Sequence, residues 1–554
     1  MGVPSSGISG ALRKRPFMFV FGVMLAASAA LMFHFRSRLD FMLDDWAFVI
    51  YRNDGGIGDY LDPHNEHISV LPVMIYKSFL AVFGMTSAIP LHIASMVVFL
   101  VSVVVLLIYL RPLVGEPLAV IGCGIILFLG TAWEDLLWAF QIGFSISMAC
   151  GIGALIMLGR RDRFGDRMAC LLLTVSMIST SLGIPFAIGA LVDLLLRRKD
   201  LTRRLYIVAI PLAVYAAWWL GWGHTAPSSL SFDNAINAPE YVFNAFRLAV
   251  SNVTGEFRAS GQTGEILGVI LAIGVIALAA ISMFTRHRLP RAFLVAAAIG
   301  LAFWGLAALN LAPGRGYQAS RYQFPGAVFL LMMLAGAFDG VKVRPRTVMA
   351  VGAVALFAIT VNIIAMRDGY RDVFKPLSDK GIAGLTAIDI ASGTVDPGVA
   401  VGMNADDRAL VTAGDYLDAE DRYGSVSWSE PEIEDSSEAA RARIDQILVA
   451  ALPITGTPAR SLGDRCRVVR ATPEGRQSIP LASSGFTFRP RRDVFLGVRR
   501  FADATVAGAA FGRAGSKTRV TVPADESDRP WRISFIGQGP VRVCDGGSPP
   551  SPGI

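Results

Sequence analysis

Residues 40–67, DFMLDDWAFVIYRNDGGIGDYLDPHNEH, crowd Asp44, Asp45, Asp54, Asp59, Asp62, His64, Glu66 and His67 into a short polar stretch between strongly apolar runs. Ionisable groups beside a bilayer are costly, so their clustering calls for a physical reason. Helix capping and turn formation supply one for Asp54, Asp59 and Asp62. The pair Asp44 and Asp45, set against Trp46 just past an apolar run, points instead to chemistry at a membrane surface.

Upstream, ALRKRPFMFVFGVMLAASAALMFHF has the basic flank and small residues of a signal peptide, but its apolar core runs on through Phe35, which favours an uncleaved anchor. With Arg13, Lys14 and Arg15 held in the cytoplasm, the chain from Arg36 onward lies outside. The composition extends this reading to the whole chain: mean hydropathy is +0.50 and only 17% of the 554 residues are charged. Several runs are long enough to cross a bilayer, so the expected class is an α-helical polytopic membrane protein. The net charge of +7 comes from short Lys and Arg clusters between apolar runs. Inner-leaflet anchoring accounts for them without nucleic acid as a partner.

The segment DPHNEHISVLPVMIYKSFLAVFG reads either as a second span or as a helix in the outer interface. Charge decides between them: only the interfacial reading, with Asp62 as N-cap and Pro63 at the first helical position, keeps RRDRFGDR and RRKDLTRR inside. His64 and His67 then lie three apart on one helix face. Further spans are expected near 88–110, 117–132, 143–159, 168–182, 184–196, 205–222, 263–284, 292–311, 325–339 and 347–366, about eleven with the first. Residues 168–196 are too short for two full spans and read as half-length helices turning at Gly183, Ile184 and Pro185. A hollow is expected beside that turn, since non-helical backbone at membrane depth must face protein or water.

After Met366 the chain turns polar. The expected domains are a membrane domain over 1–366, an outer α/β linker over 367–458, and a β-sandwich over 459–554 built from runs such as CRVVRA, FTFRP and WRISFIG. Cys466 and Cys544 flank its first and last strand-like runs. In an oxidising compartment they are expected to form a disulfide worth about 4 kcal/mol.

Two more outer segments carry chemistry. In WEDLLWAFQ, Glu134, Trp138 and Gln141 fall at helical spacing, and an indole face with amide and carboxylate neighbours suits a sugar ring; an interfacial aromatic belt is the other reading. GRGYQASRY offers Arg315 and Arg321, with Tyr317 and Tyr322. Planar guanidinium forks suit phosphate, although snorkelling to lipid headgroups also explains them. A contact ion pair at 4 Å is worth about 4 kcal/mol before desolvation at an effective dielectric near 20. Together these loops suit transfer of a sugar from a lipid phosphate to a hydroxyl, with one carboxylate of Asp44 and Asp45 as general base and its neighbour orienting groups or holding a divalent cation.

An acidic pair after the first helix, a histidine-bearing juxtamembrane segment, a multi-span body and an outer C-terminal module resemble the GT-C superfamily of polyprenyl-phosphate-sugar-dependent glycosyltransferases. The layout is similar to protein O-mannosyltransferases, lipid A aminoarabinose transferases and mycobacterial arabinofuranosyltransferases. The resemblance implies a bacterial plasma-membrane enzyme with a cytoplasmic N-terminus and an extracytoplasmic C-terminal, carbohydrate-binding module. Its partners would be a polyprenyl-phosphate-linked sugar donor, a glycan, lipid or protein acceptor, and membrane lipids. It carries the family's acidic motif to Asp44 and Asp45 and its juxtamembrane histidine to His64. HNEH departs from the pattern, in which prolines often follow the histidine, and this bears on Glu66 and His67. The competing classes are a lipid-linked-sugar flippase and a noncatalytic glycan-binding protein.

Overall fold

The computed structural model describes residues 16–52, 55–198, 200–258, 261–287, 289–401, 411–452, 454–475, 477–481, 485–504 and 506–545. Arg13, Lys14, Arg15, Asp54 and Lys199 lie outside the described residues. Contacts divide the chain into two units: one takes Met1–Arg38, Arg52–Phe79 and Ile89–Phe374, the other Leu39–Tyr51, Leu80–Ala88 and Lys375–Ile554. Two short segments from the N-terminal region, Leu39–Tyr51 and Leu80–Ala88, thus belong with the C-terminal part.

The first unit is helical: α1 (Pro16–Arg36), α2 (Ile89–Leu127), α3 (Trp133–Leu137), α4 (Ile142–Arg160), α5 (Arg163–Ser179), α6 (Gly183–Arg197), α7 (Tyr206–Gly221), α8 (Phe232–Thr254), α9 (Gly261–Thr285), α10 (Arg291–Leu309), α11 (Gln323–Ala337) and α12 (Pro345–Gly369). Six helical segments among the described residues are long and apolar enough to cross a membrane: Pro16–Arg36, Ile89–Leu127, Ala139–Arg160, Gly264–Thr285, Arg291–Leu309 and Pro345–Ala391. The chain is therefore a polytopic membrane protein. Helices α5, α6, α7 and α11, at 17, 15, 16 and 15 residues, fall short of the roughly 20 a full span needs.

The runs expected at 88–110 and 117–132 are two helices within Ile89–Leu127, separated at Gly115, whose non-helical φ of 81° only glycine adopts freely. Pro112 and Pro117 flank the break and remove backbone donors from it.

Two expectations change. The region 223–262, read as an outer loop, contains the 23-residue α8, capped by Ser231 Oγ accepting from Asn234 N at 3.1 Å. Its polar residues mask a buried stripe through Tyr241, Ala245, Ala249 and Asn252 at helical spacing. Residues 62–69 are not the start of a helix, which begins only at Val70. His64 and His67 exchange backbone hydrogen bonds of 3.0 Å each way, with Asn65 at φ 52° in the turn between them. Asparagine tolerates that left-handed conformation, so the local turn wins over a helical start at Pro63.

The second unit contains the short helix Asp45–Val49, α13 (Lys375–Ala391), α14 (Ala413–Tyr423), α15 (Glu438–Ala451) and nine strands: β1 (Thr455–Pro458), β2 (Arg465–Ala471), β3 (Ser478–Pro480), β4 (Phe486–Pro490), β5 (Val494–Arg499), β6 (Val506–Gly512), β7 (Thr518–Thr521), β8 (Arg532–Gly537) and β9 (Gly539–Asp545). They pair antiparallel in two sheets, ordered β1-β7-β4-β9-β2 and β3-β8-β5-β6. Phe488 of one sheet meets Phe535 of the other at 5.1 Å, in the sandwich core. Cys466 and Cys544, opposite each other in the β2–β9 ladder, are joined by a disulfide. Asp445 of α15 accepts from the backbone N–H groups of Arg500, Phe501 and Ala502. That clamp makes helix and sandwich parts of one packed unit, where composition suggested a boundary.

Candidate functional site

Helix α5 stops at Ser179 because Thr180 is extended, and α6 starts at Gly183, where a Cβ would sit 2.6 Å from the Met177 backbone. Only glycine permits so tight a reversal between two short helices. The turn Thr180–Leu182 borders a cavity of about 300 Å³. Its walls are largely apolar, from Phe144, Ile184 and Pro185 to Phe303 and Leu306, while one end carries Glu66, His67 and Arg315.

That end is fastened by hydrogen bonds. His67 Nδ1 lies 3.0 Å from Ser181 Oγ in the helix turn. Arg315 Nη1 meets Glu66 Oε2 at 2.5 Å, and Ser229 Oγ donates to Glu66 Oε1 at 3.2 Å. Desolvation lowers the His67 pKa to about 4, helped by the nearby Arg315, His64 and Arg321 charges. His67 is thus a neutral hydrogen-bonding ring at physiological pH, and Arg315 is the cation at this end. Tyr322 also lines the cavity, as do Tyr215, Trp219, His224 and Asn310, which the sequence reading missed. Nothing in their local pattern separates them from interfacial aromatics and helix-end polar residues; only the converging helix ends reveal them.

The loop carrying Arg315 is pinned from several sides. Gln323 Nε2 donates to Tyr317 O at 2.8 Å and Ala319 O at 2.9 Å, and Tyr241 packs edge-on to Tyr317 at 5.7 Å. Arg321 donates to Glu134 Oε2 at 3.3 Å and to Gly314 O at 2.7 Å. Arg321 is not among the residues lining the cavity, so the expected two-arginine clamp is divided: Arg315 faces it and Arg321 holds the loop.

The expected Glu134, Trp138 and Gln141 face is not formed. Helix α3 ends at Leu137 and Trp138 is extended, so the three residues do not share one helix face. Trp138 and Gln141 are 4% and 3% exposed, and Trp138 stacks on Phe140 at 5.0 Å. His64 packs edge-on to the same Phe140 at 5.0 Å.

Asp44 and Asp45 lie in the second unit. Asp44 is half-buried at the start of the short helix. Asp45 is 1% exposed and its Oδ2 accepts from Met42 N at 3.0 Å, closing a turn in which Leu43 has φ 52°. Nearby Asp40, not singled out from the sequence, has its pKa raised to about 6 by desolvation; Lys375 opposes the rise, while Asp379 and Glu432 add to it. Among the described residues, no group of three or more His, Cys, Asp or Glu side chains is placed to hold a metal ion.

No family model matches the chain, and no curated protein matches it.

Proposed function

We propose that the chain is a membrane glycosyltransferase that moves a sugar from a polyprenyl-phosphate donor to a glycan, lipid or protein acceptor on the outer face of a bacterial plasma membrane. The observation that carries this reading is the apolar cavity ending at Arg315, Glu66 and His67. Its walls suit the first prenyl units and its cationic end suits a phosphate, which would compete with Glu66 for the guanidinium. The neutral His67 ring adds a hydrogen bond without adding charge.

The fold proposed with this function is GT-C-like. About eleven passes would include the short helices, the N-terminus would be cytoplasmic, and the sandwich would be an outer, carbohydrate-binding module. The Cys466–Cys544 disulfide supports an oxidising compartment for that module. Asp44 and Asp45 remain the proposed acid pair for activating the acceptor hydroxyl.

The short helix pair α5 and α6 beside the cavity favours a second reading, a flippase of the lipid-linked sugar, since transporters place broken helices around their substrates. Purified protein incubated with candidate polyprenyl-phosphate sugars separates the two. Release of carrier phosphate together with a new glycosidic bond supports the transferase, whereas transbilayer movement without bond formation replaces it by the flippase. Arg315→Lys keeps the charge but loses the planar fork, so donor affinity should fall; unchanged affinity leaves Arg315 with only its structural bond to Glu66.

A further inference from the structure

The Gly314–Tyr322 loop also borders a second, more open cavity of about 680 Å³, lined among others by Thr131, Trp133, Glu134, Asn252, Gln318 and Asp368. Its chemistry is unlike that of the first. No Lys, Arg or His is among its described lining residues, and its carboxylates already have guanidinium partners: Glu134 with Arg321 at 3.3 Å, Asp368 with Arg367 at 3.8 Å, and Asp372 with Arg371 at 2.7 Å. A ligand anion would find no cation on that wall. A ligand cation would have to displace an arginine.

What its lining residues carry instead are buried hydrogen-bond acceptors. Gln323 Nε2 is committed to Tyr317 O and Ala319 O, so its Oε1 must be the acceptor of the 2.7 Å bond from Asn252 Nδ2. Asn362 Nδ2 donates to Asn252 O at 3.0 Å and its Oδ1 accepts from Thr131 N at 3.2 Å, tying the same amides to the cavity edge. This chain of bonds fixes the Asn252 amide with Oδ1 pointing away from Gln323. Asn252 is 1% exposed, and neither its Oδ1 nor Thr131 Oγ1 has a hydrogen-bond partner among the described residues. Buried acceptors left so are costly unless a ligand or water donates to them. Beside them the half-buried Trp133 indole and Phe257 supply flat apolar surface. Hydroxyl donors around a ring with apolar faces answer all of these features. The volume lies within the ~300–1,000 Å³ typical of small-molecule sites.

We propose that this second cavity binds a neutral, hydroxyl-rich ligand, the sugar end of a glycan or glycolipid. Its role as the acceptor side of transfer rests on the function proposed above, but binding itself does not.

The test uses the full-length protein in lipid nanodiscs and saturation-transfer NMR with a panel of methyl pentosides and hexosides, with glucosamine and glucuronate as charged controls. At least one neutral glycoside should bind in preference to both controls. Thr131→Val deletes a hydroxyl with no hydrogen-bond partner among the described residues, so folding should be unharmed while glycoside affinity falls about tenfold. Gln318→Ala, at an exposed position, should weaken binding less. Binding of glucosamine or glucuronate in preference, binding of no neutral glycoside, or unchanged affinity in both variants would each overturn the proposal. Dodecyl phosphate, titrated into the same preparation and into Arg315→Lys, reports on the first cavity independently. If it fails to bind while the glycoside still does, the donor-site reading falls and the glycan site stands.

Discussion

On the helices of the first unit Val23, Ile108, Leu220, Ile281 and Leu356 are exposed, while Ser147 and Ser176 hydrogen-bond to each other at 2.7 Å in the interior. In the second unit apolar side chains point inward along alternating strands, as in the buried Val541 and Val543 of β9, and helix ends are closed by side chains, as in the Thr412 and Asp415 capping box of α14. The difference is one of solvent. Lipid gives no reward for burying a leucine, so the first unit coheres through close small-residue contacts and interior polar pairs. The second unit is built as water requires, with alternating strands around a core and a covalent cross-link. Each unit also carries its own candidate chemistry: a lipid-and-phosphate cavity and a polyol cavity in the first, and the carboxylates Asp40, Asp44 and Asp45, near one another in sequence, in the second.

The sharpest test of this division concerns the carboxylates. Asp44→Asn or Asp45→Asn should cut sugar transfer by about 10² to 10⁴-fold, the usual worth of a general base, with donor binding nearly unchanged. Steady-state rates and donor binding in each variant check this; parental turnover in both would confine the chemistry to the first unit. Next, replacing Cys466 and Cys544 by Ser should destabilise the second unit by about 4 kcal/mol, read by denaturant unfolding, and leave the helices of the first unit intact. Loss of both units together would break the comparison. Asp445→Ala strips the acceptor from the N–H groups of Arg500, Phe501 and Ala502, and should cost the second unit roughly 3 kcal/mol in the same assay.

His67 and Asp40 should contribute pH dependence of opposite sense, one in each unit. The His67 pKa is lowered to about 4, so the unfolded chain takes up this proton first, and the contribution of His67 to the stability of the first unit is lost as pH falls from about 6.5 toward 4. The Asp40 pKa is raised to about 6, so the native second unit holds a proton that the unfolded chain has released, and the contribution of Asp40 to its stability is lost as pH rises from about 4 to 6. Hydrogen exchange of each unit across this range should show the two slopes, flattened by His67→Gln and Asp40→Asn respectively. Smallest of all, a double-mutant cycle on Ser147 and Ser176 in bilayers should return about 0.6 kcal/mol, the typical interhelical value in lipid. A much larger coupling would mean that the first unit relies on polar bonds as a water-soluble core does.

The sequence by itself determined what depends on composition and local pattern. Long apolar runs, the interruption between the runs at 88–110 and 117–132, the short helix pair around Gly183 and the alternating strands FTFRP and WRISFIG were legible because bilayer thickness, backbone sterics and the two-residue strand period act over a few neighbours. Strands β1, β3 and β6 were not, being short or, in VAGAAFG, nearly featureless. Helix α8 was missed because its buried stripe includes Asn252, whose value lies in bonding to Gln323, 71 residues away. Tertiary structure alone decided that Trp138 and Gln141 are buried, that Arg315 faces a cavity while Arg321 ties down its own loop, and that Asp44 and Asp45 belong with the C-terminal unit. Whether a polar side chain caps, pairs or waits for a ligand depends on the donors and acceptors that distant segments bring within about 3 Å, and no local pattern encodes that distance.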